Sequence, residues 1–132
     1  MAITNLTLLT GPTISITGGT AQTFAPDGTV VNRGISVSDV AEDNVTARAS
    51  CVVKNVKGVL QPDGSWSKDR RSAKIVMPGI LADGTVDFAF LEITLVKSPL
   101  RGASTVTALK EKGIQLIHDA DLTSFWSMGA IS

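Results

Sequence analysis

The sequence has no tyrosine, a single cysteine and a single histidine. Its net charge is zero, with twelve basic and twelve acidic side chains. Each absence excludes something. One thiol, Cys51, cannot close an internal disulfide, so no oxidising compartment is required. One imidazole, His118, has no second histidine or spare cysteine to share a metal with; beside Asp119 and Asp121 at a helix end it reads as a cap or dipole partner. Balanced charge provides no long-range field towards nucleic acid or membrane, so any polyanion contact must come from a local patch. No apolar run approaches the roughly 18 residues of a spanning helix, and no secretory signal opens the chain. It reads as a soluble protein made in a cytoplasm, with no membrane partner. On that reading the acceptor patterns Asn5-Leu6-Thr7 and Asn44-Val45-Thr46 are chance matches. Nucleophile elbow, phosphate loop and dinucleotide fingerprint are all missing. The expectation is a protein that is not an enzyme and has no cofactor, metal or small-molecule substrate.

What is abundant is Val, Ile, Thr and turn glycines, a β composition, in a 132-residue chain the size of one domain. The centre of the pattern is Arg70–Lys97. Two alternating runs, Ser72–Met77 and Val86–Val96, flank Pro78-Gly79 and Asp83-Gly84 and predict an antiparallel hairpin. Ala73, Ile75, Met77, Leu91, Ile93 and Leu95 fall on one face. Ser72, Lys74, Val76, Phe88, Phe90, Glu92 and Thr94 fall on the other. A strand of the same kind is predicted over Val45–Lys54, with Cys51 a packed thiol on its apolar side and Arg48, Ser50, Val52 and Lys54 opposite. Gly34–Ser38 reads as a further strand, and Ile3–Thr10 with Thr13–Thr17 as an opening hairpin about Gly11-Pro12. Asn55–Asp69, with Gly58, Pro62-Asp63-Gly64 and Trp66, reads as a long hairpin connection with strand extensions. Residues 20–33 give no clear element beyond a turn at Pro26-Asp27-Gly28.

After Pro99 and Gly102 the period becomes helical. Val106, Leu109, Ile114 and Ile117 line one face of a helix over Ala103–His118, with Ser104 a candidate cap. A shorter helix follows at Leu122–Met128, where Phe125 and Trp126 read as core or interface anchors, and Gly129 ends it. The expected architecture is α+β, six or seven antiparallel strands and then two helices. It divides into a hairpin (1–18), a sheet (29–97) and a helical end (102–129) of one domain. So small a helix pair covers a wide sheet poorly, which points to a partner chain.

The strand TARASCVVK (46–54), the run SAKIVMP (72–78), the strand DFAFLEITLVKSP (87–99) and the closing helices resemble, in that order, the coat proteins of single-stranded RNA bacteriophages. The resemblance implies an interlocked homodimer with one continuous β-meander sheet, helices reaching across onto the partner, and an icosahedral shell enclosing genomic RNA in a virion. It implies an inward sheet face that binds RNA through Arg48, Ser50, Val52, Lys54, Arg70, Ser72, Lys74, Phe88, Phe90 and Glu92. In members of the family this face also grips a stem-loop for translational repression and packaging. Leu91, Ile93, Leu95, Val106, Leu109, Ile117, Phe125 and Trp126 would form the core and dimer interface. Pro78, Gly79, Ile80, Leu81, Ala82, Asp83, Gly84 and Thr85 would form the loop between dimers. The chemistry of the face is sensible by itself: cations meet phosphates, hydroxyls bond phosphates or base edges, and phenyl rings stack on bases. The bland alternative is that Arg48, Arg70 and Lys74 are solvated charges and that a loop or second sheet buries Phe88 and Phe90. Without tyrosine, no ring can both stack and donate an O–H. The rival functional reading is a free-standing dimeric nucleic-acid-binding module that builds no shell.

Overall fold

The computed structural model describes residues 22–130; the expected opening hairpin lies outside the described residues. Within them are two compact units, one running to Leu100 and the other starting at Arg101.

The first unit is an antiparallel sheet of five strands, β1 (Phe24–Pro26), β2 (Gly34–Asp39), β3 (Ser50–Val56), β4 (Asp69–Ile80) and β5 (Val86–Lys97), in simple sequential order. Its register follows the period-two pattern. Cys51 opposes Ile75, which opposes Leu91, on one face; Val52 opposes Lys74, which opposes Glu92, on the other. A slip of one residue would exchange the two faces, so the apolar set itself fixes the pairing.

The β4–β5 hairpin turns on Asp83-Gly84-Thr85. The Asp83 carboxylate accepts the Thr85 N–H at 3.0 Å and its hydroxyl at 2.6 Å, while Gly84 sits at φ +85°, where a Cβ would be strained. Asp63-Gly64-Ser65 repeats the device in the β3–β4 connection, where Asp63 accepts the Ser65 N–H at 2.9 Å. That connection carries an isolated bridge between Leu60 and Trp66.

The larger differences from the sequence expectation lie in the sheet, while β2 ends one residue later and α2 begins one residue later than expected. The expected loop over Pro78–Thr85 is shorter, because Pro78, Gly79 and Ile80 continue β4 and only Leu81–Thr85 turn. The reason lies in the phase of the ladder. The Leu81 N–H donates to the Thr85 carbonyl at 2.9 Å, so 81 and 85 form a hydrogen-bonded pair and alternate pairs, Pro78 with Phe88 among them, do not. The Pro78 nitrogen therefore faces the side on which β3 has already ended at Ser50, and no ladder bond is lost. The strand expected from Val45 begins only at Ser50, since Val45–Ala47 form a turn in which Asn44 accepts the Thr46 N–H and hydroxyl. The third difference is β1, which carries too few residues to show alternation.

The second unit holds α1 (Ala103–His118), with both ends where the periodicity puts them. Its cap is Gly102, with no side-chain bond, rather than Ser104. A 3₁₀ turn at Ala120–Leu122, capped by the Asp119 carboxylate on the Asp121 N–H, leads into α2 (Thr123–Met128). Phe125 and Trp126 meet edge to face at 5.1 Å. No helix among the described residues is long and apolar enough to cross a membrane.

Very little of this is buried. Among the described residues Ala49 and Leu122 are the buried apolar side chains. Ile75, Met77, Leu91 and Ile93 on the sheet, and Leu109, Ile117 and Trp126 on the helices, are exposed. Leu95, Val106 and Phe125 are half-buried.

Candidate nucleic-acid interface

The polar face is assembled from three strands whose alternation puts every second side chain on the same side. Ser50, Val52 and Lys54 come from β3, Arg70, Ser72 and Lys74 from β4, and Phe88, Phe90 and Glu92 from β5. Across the strands, Lys54 opposes Ser72 and Ser72 opposes Thr94. Phe88 and Phe90 are 59% and 62% exposed, so no loop among the described residues covers them. The Lys74 ammonium stands 4.2 Å from the centroid of the Phe90 ring, a cation–π contact one diagonal away from its direct neighbour Glu92.

Arg48 does not join this group. It lies ahead of β3, and its guanidinium donates to the Glu42 and Asp43 carbonyls at 2.8 and 2.9 Å. Those bonds tie down the β2–β3 connection, so its expected place on the strand face is corrected to a loop.

A segment absent from the expected set borders the face instead. The Asp27 carboxylate accepts hydroxyl bonds from Ser36, at 3.0 Å, and from Ser38, and accepts the Thr29 N–H at 2.9 Å. Ser38 first, then Thr29 and Ser36, hold the Asp27 carboxyl far below the usual carboxylate range. Ser36 and Ser38 point to the same side as Val52 and Ser50, so this staple folds the following residues onto the polar face. Val30, Val31 and Asn32 then wall an open cleft of about 380 Å³ whose floor is Val52, Lys54, Ser72, Lys74 and Glu92. Two lysines, a serine and an acid thus share the floor of the cleft beneath the valine wall. The signal in the sequence was only the turn at Pro26-Asp27-Gly28; the serines that receive it lie about ten residues on.

A clasp closes the end of the sheet where β4 begins and β5 ends. Asp69, buried, accepts the Gly58 N–H at 2.6 Å and the Lys97 ammonium at 3.1 Å. These bonds, Gly58 foremost, lower its carboxyl below the ordinary range. Among the described residues no cluster of His, Cys, Asp or Glu is arranged to hold a metal.

No protein-family model and no curated protein sequence matches the chain. Solved structures do. A virus-like particle of bacteriophage GQ-907 is similar at 32% identity and a TM-score of 0.84, over 92% of each chain. The chain belongs to the coat proteins of RNA bacteriophages. Two further particles share the fold of this coat protein at low identity. For that of bacteriophage AVE019 the identity is 10% and the TM-score 0.69, over 88% of this chain and 92% of the other. For that of Beihai levi-like virus 21 they are 12% and 0.62, over 87% and 98%. The coat protein is thus a capsid subunit, a structural protein of a virion, and its five-stranded sheet followed by two helices is the coat-protein fold.

Proposed function

We propose that this coat protein dimerises through its sheet, that dimers assemble into an icosahedral shell, and that the polar face lines the interior against genomic RNA. The observation that carries the proposal is the asymmetry of the sheet. One face is apolar yet exposed in the single chain, which is a costly arrangement for a protein in water. Beside it, β5 runs for twelve residues as an edge with no strand on its outer side among the described residues. Natural sheets blunt such edges or pair them. A second copy, related by a two-fold axis normal to the sheet, would pair the edge and lay its helices over the apolar face. The similarity to subunits of virus-like particles favours a shell over a free-standing module.

RNA binding rests on the chemistry of the other face. Lys54, Arg70 and Lys74 supply the phosphate term, doubled in a dimer, and Phe88 and Phe90 offer exposed rings to unpaired bases. A stem-loop that represses translation would use the same surface.

The test is Lys74→Glu. The side chain belongs to the face opposite Ile75 and Leu91, so the variant keeps its fold and assembles. Packaged RNA, read as absorbance at 260 nm per particle, falls. Wild-type RNA content in intact particles would remove Lys74, and with it the cleft, from the RNA surface.

A further inference from the structure

The ladder that explains Pro78 also says which backbone groups of β5 are unspent. Odd-numbered residues of β5 bond to β4, so the N–H and C=O groups of Val86, Phe88, Phe90, Glu92, Thr94 and Val96 point outward from the sheet edge. These are also the residues whose side chains lie on the polar face. If two copies join into one sheet with both polar faces on the same side, each residue must oppose one of its own parity. An antiparallel two-fold pairing then puts a single residue, opposite itself, on the axis.

The choice of that residue is narrow. With Leu91 on the axis, Val86 meets Val96 of the partner subunit, Phe88 meets the partner's Thr94 and Phe90 meets the partner's Glu92. All six outward residues are then paired. Moving the axis to Glu92 sets two carboxylates directly against each other, which destabilises, and leaves Val86 beyond the end of the strand. Moving it to Phe90 carries Val96 opposite the turn residue Gly84. Charge decides in the same direction. The Lys74 ammonium already stands over Phe90, on the line that the partner's Glu92 would approach from the other side.

We propose that the coat-protein dimer is registered on Leu91, placing Glu92 of the partner subunit across Phe90 from Lys74, so that each half of the polar face is completed by an acid from the other copy. This rests on the edge pairing proposed above and adds its register.

Cysteine scanning tests it, in a Cys51→Ser background so that no other thiol is present. Residues opposed across the axis in a non-hydrogen-bonded pair have Cα atoms about 4.5 Å apart, within disulfide reach. Residues one place to either side are about 8 Å from their own copies, from a rise of about 3.4 Å and a strand spacing of about 4.8 Å, and cannot bridge. Leu91→Cys should therefore link to itself on mild oxidation, while Phe90→Cys and Glu92→Cys should not. Co-expressed, the last two should link to each other, and since both sites are on the polar face that arm does not disturb the apolar one. Self-linking at 90 or 92 overturns the register but leaves edge pairing standing. Dimers by sizing that link in none of these arms likewise overturn the register.

Discussion

The apolar face makes a quantitative demand that a single substitution can check. Ile93 is 52% exposed in the lone chain, so folding has removed about half of its side chain from water. Full burial of such a side chain contributes about 1.5–3 kcal/mol. If a second copy covers the rest, each Ile93 contributes roughly a further 1–1.5 kcal/mol, and the symmetric dimer loses about 2–3 kcal/mol when both are truncated to alanine. The retained Cβ lowers that figure and any cavity raises it. At about 1.4 kcal/mol per factor of ten, dimer dissociation weakens roughly 30- to 100-fold. The assay is urea unfolding of the dimer at several protein concentrations, where the midpoint should rise with concentration because association and folding are linked. Ile93→Ala should lower the midpoint at every concentration, and the unfolding free energy extrapolated to water should fall by the amount stated. A change within about 0.5 kcal/mol, the range of an ordinary surface substitution, would refute the reasoning, as would a midpoint independent of concentration.

Leu95→Asp puts a charge on the same face and should leave no soluble dimer on a sizing column; a normal dimer would mean the face stays wet. Asp69 gives a pH dependence of known sign. Its folded carboxyl is below the ordinary range, so the clasp is at full strength above that range and is lost as pH falls through the lowered folded value. Asp69→Asn should therefore flatten the acid arm of the stability profile, and an unchanged arm would remove the clasp from the account. Gly58→Ala should destabilise strongly in thermal melts, since a Cβ there would run into the Ser67 carbonyl oxygen and the Pro99 ring; a wild-type melting temperature would contradict that packing.

What could be read from the residues was whatever depends on local period. Alternation from Ser72 to Val96 placed both faces of the central hairpin, and the helical spacing of Val106, Leu109, Ile114 and Ile117 placed α1 to the residue. What could not be read depends on partners distant in sequence. Pro78 and Gly79 are turn residues by local rules, and only the ladder phase and the early end of β3 admit them to a strand. Arg48 continues an alternating run, yet the turn at Asn44 and the carbonyls of Glu42 and Asp43 take it out of the sheet. The wall of the cleft was hidden for the same reason. Asp27 finds Ser36 and Ser38 across a turn, and nothing near Val30 or Asn32 signals that they return to the polar face.

The most direct measurement is to express the protein alone, run it on a sizing column and image the leading peak by negative stain. We expect uniform closed particles that absorb at 260 nm because they hold RNA. A folded species that stays near the mass of one or two chains, with no particles and no nucleic acid, would contradict the account.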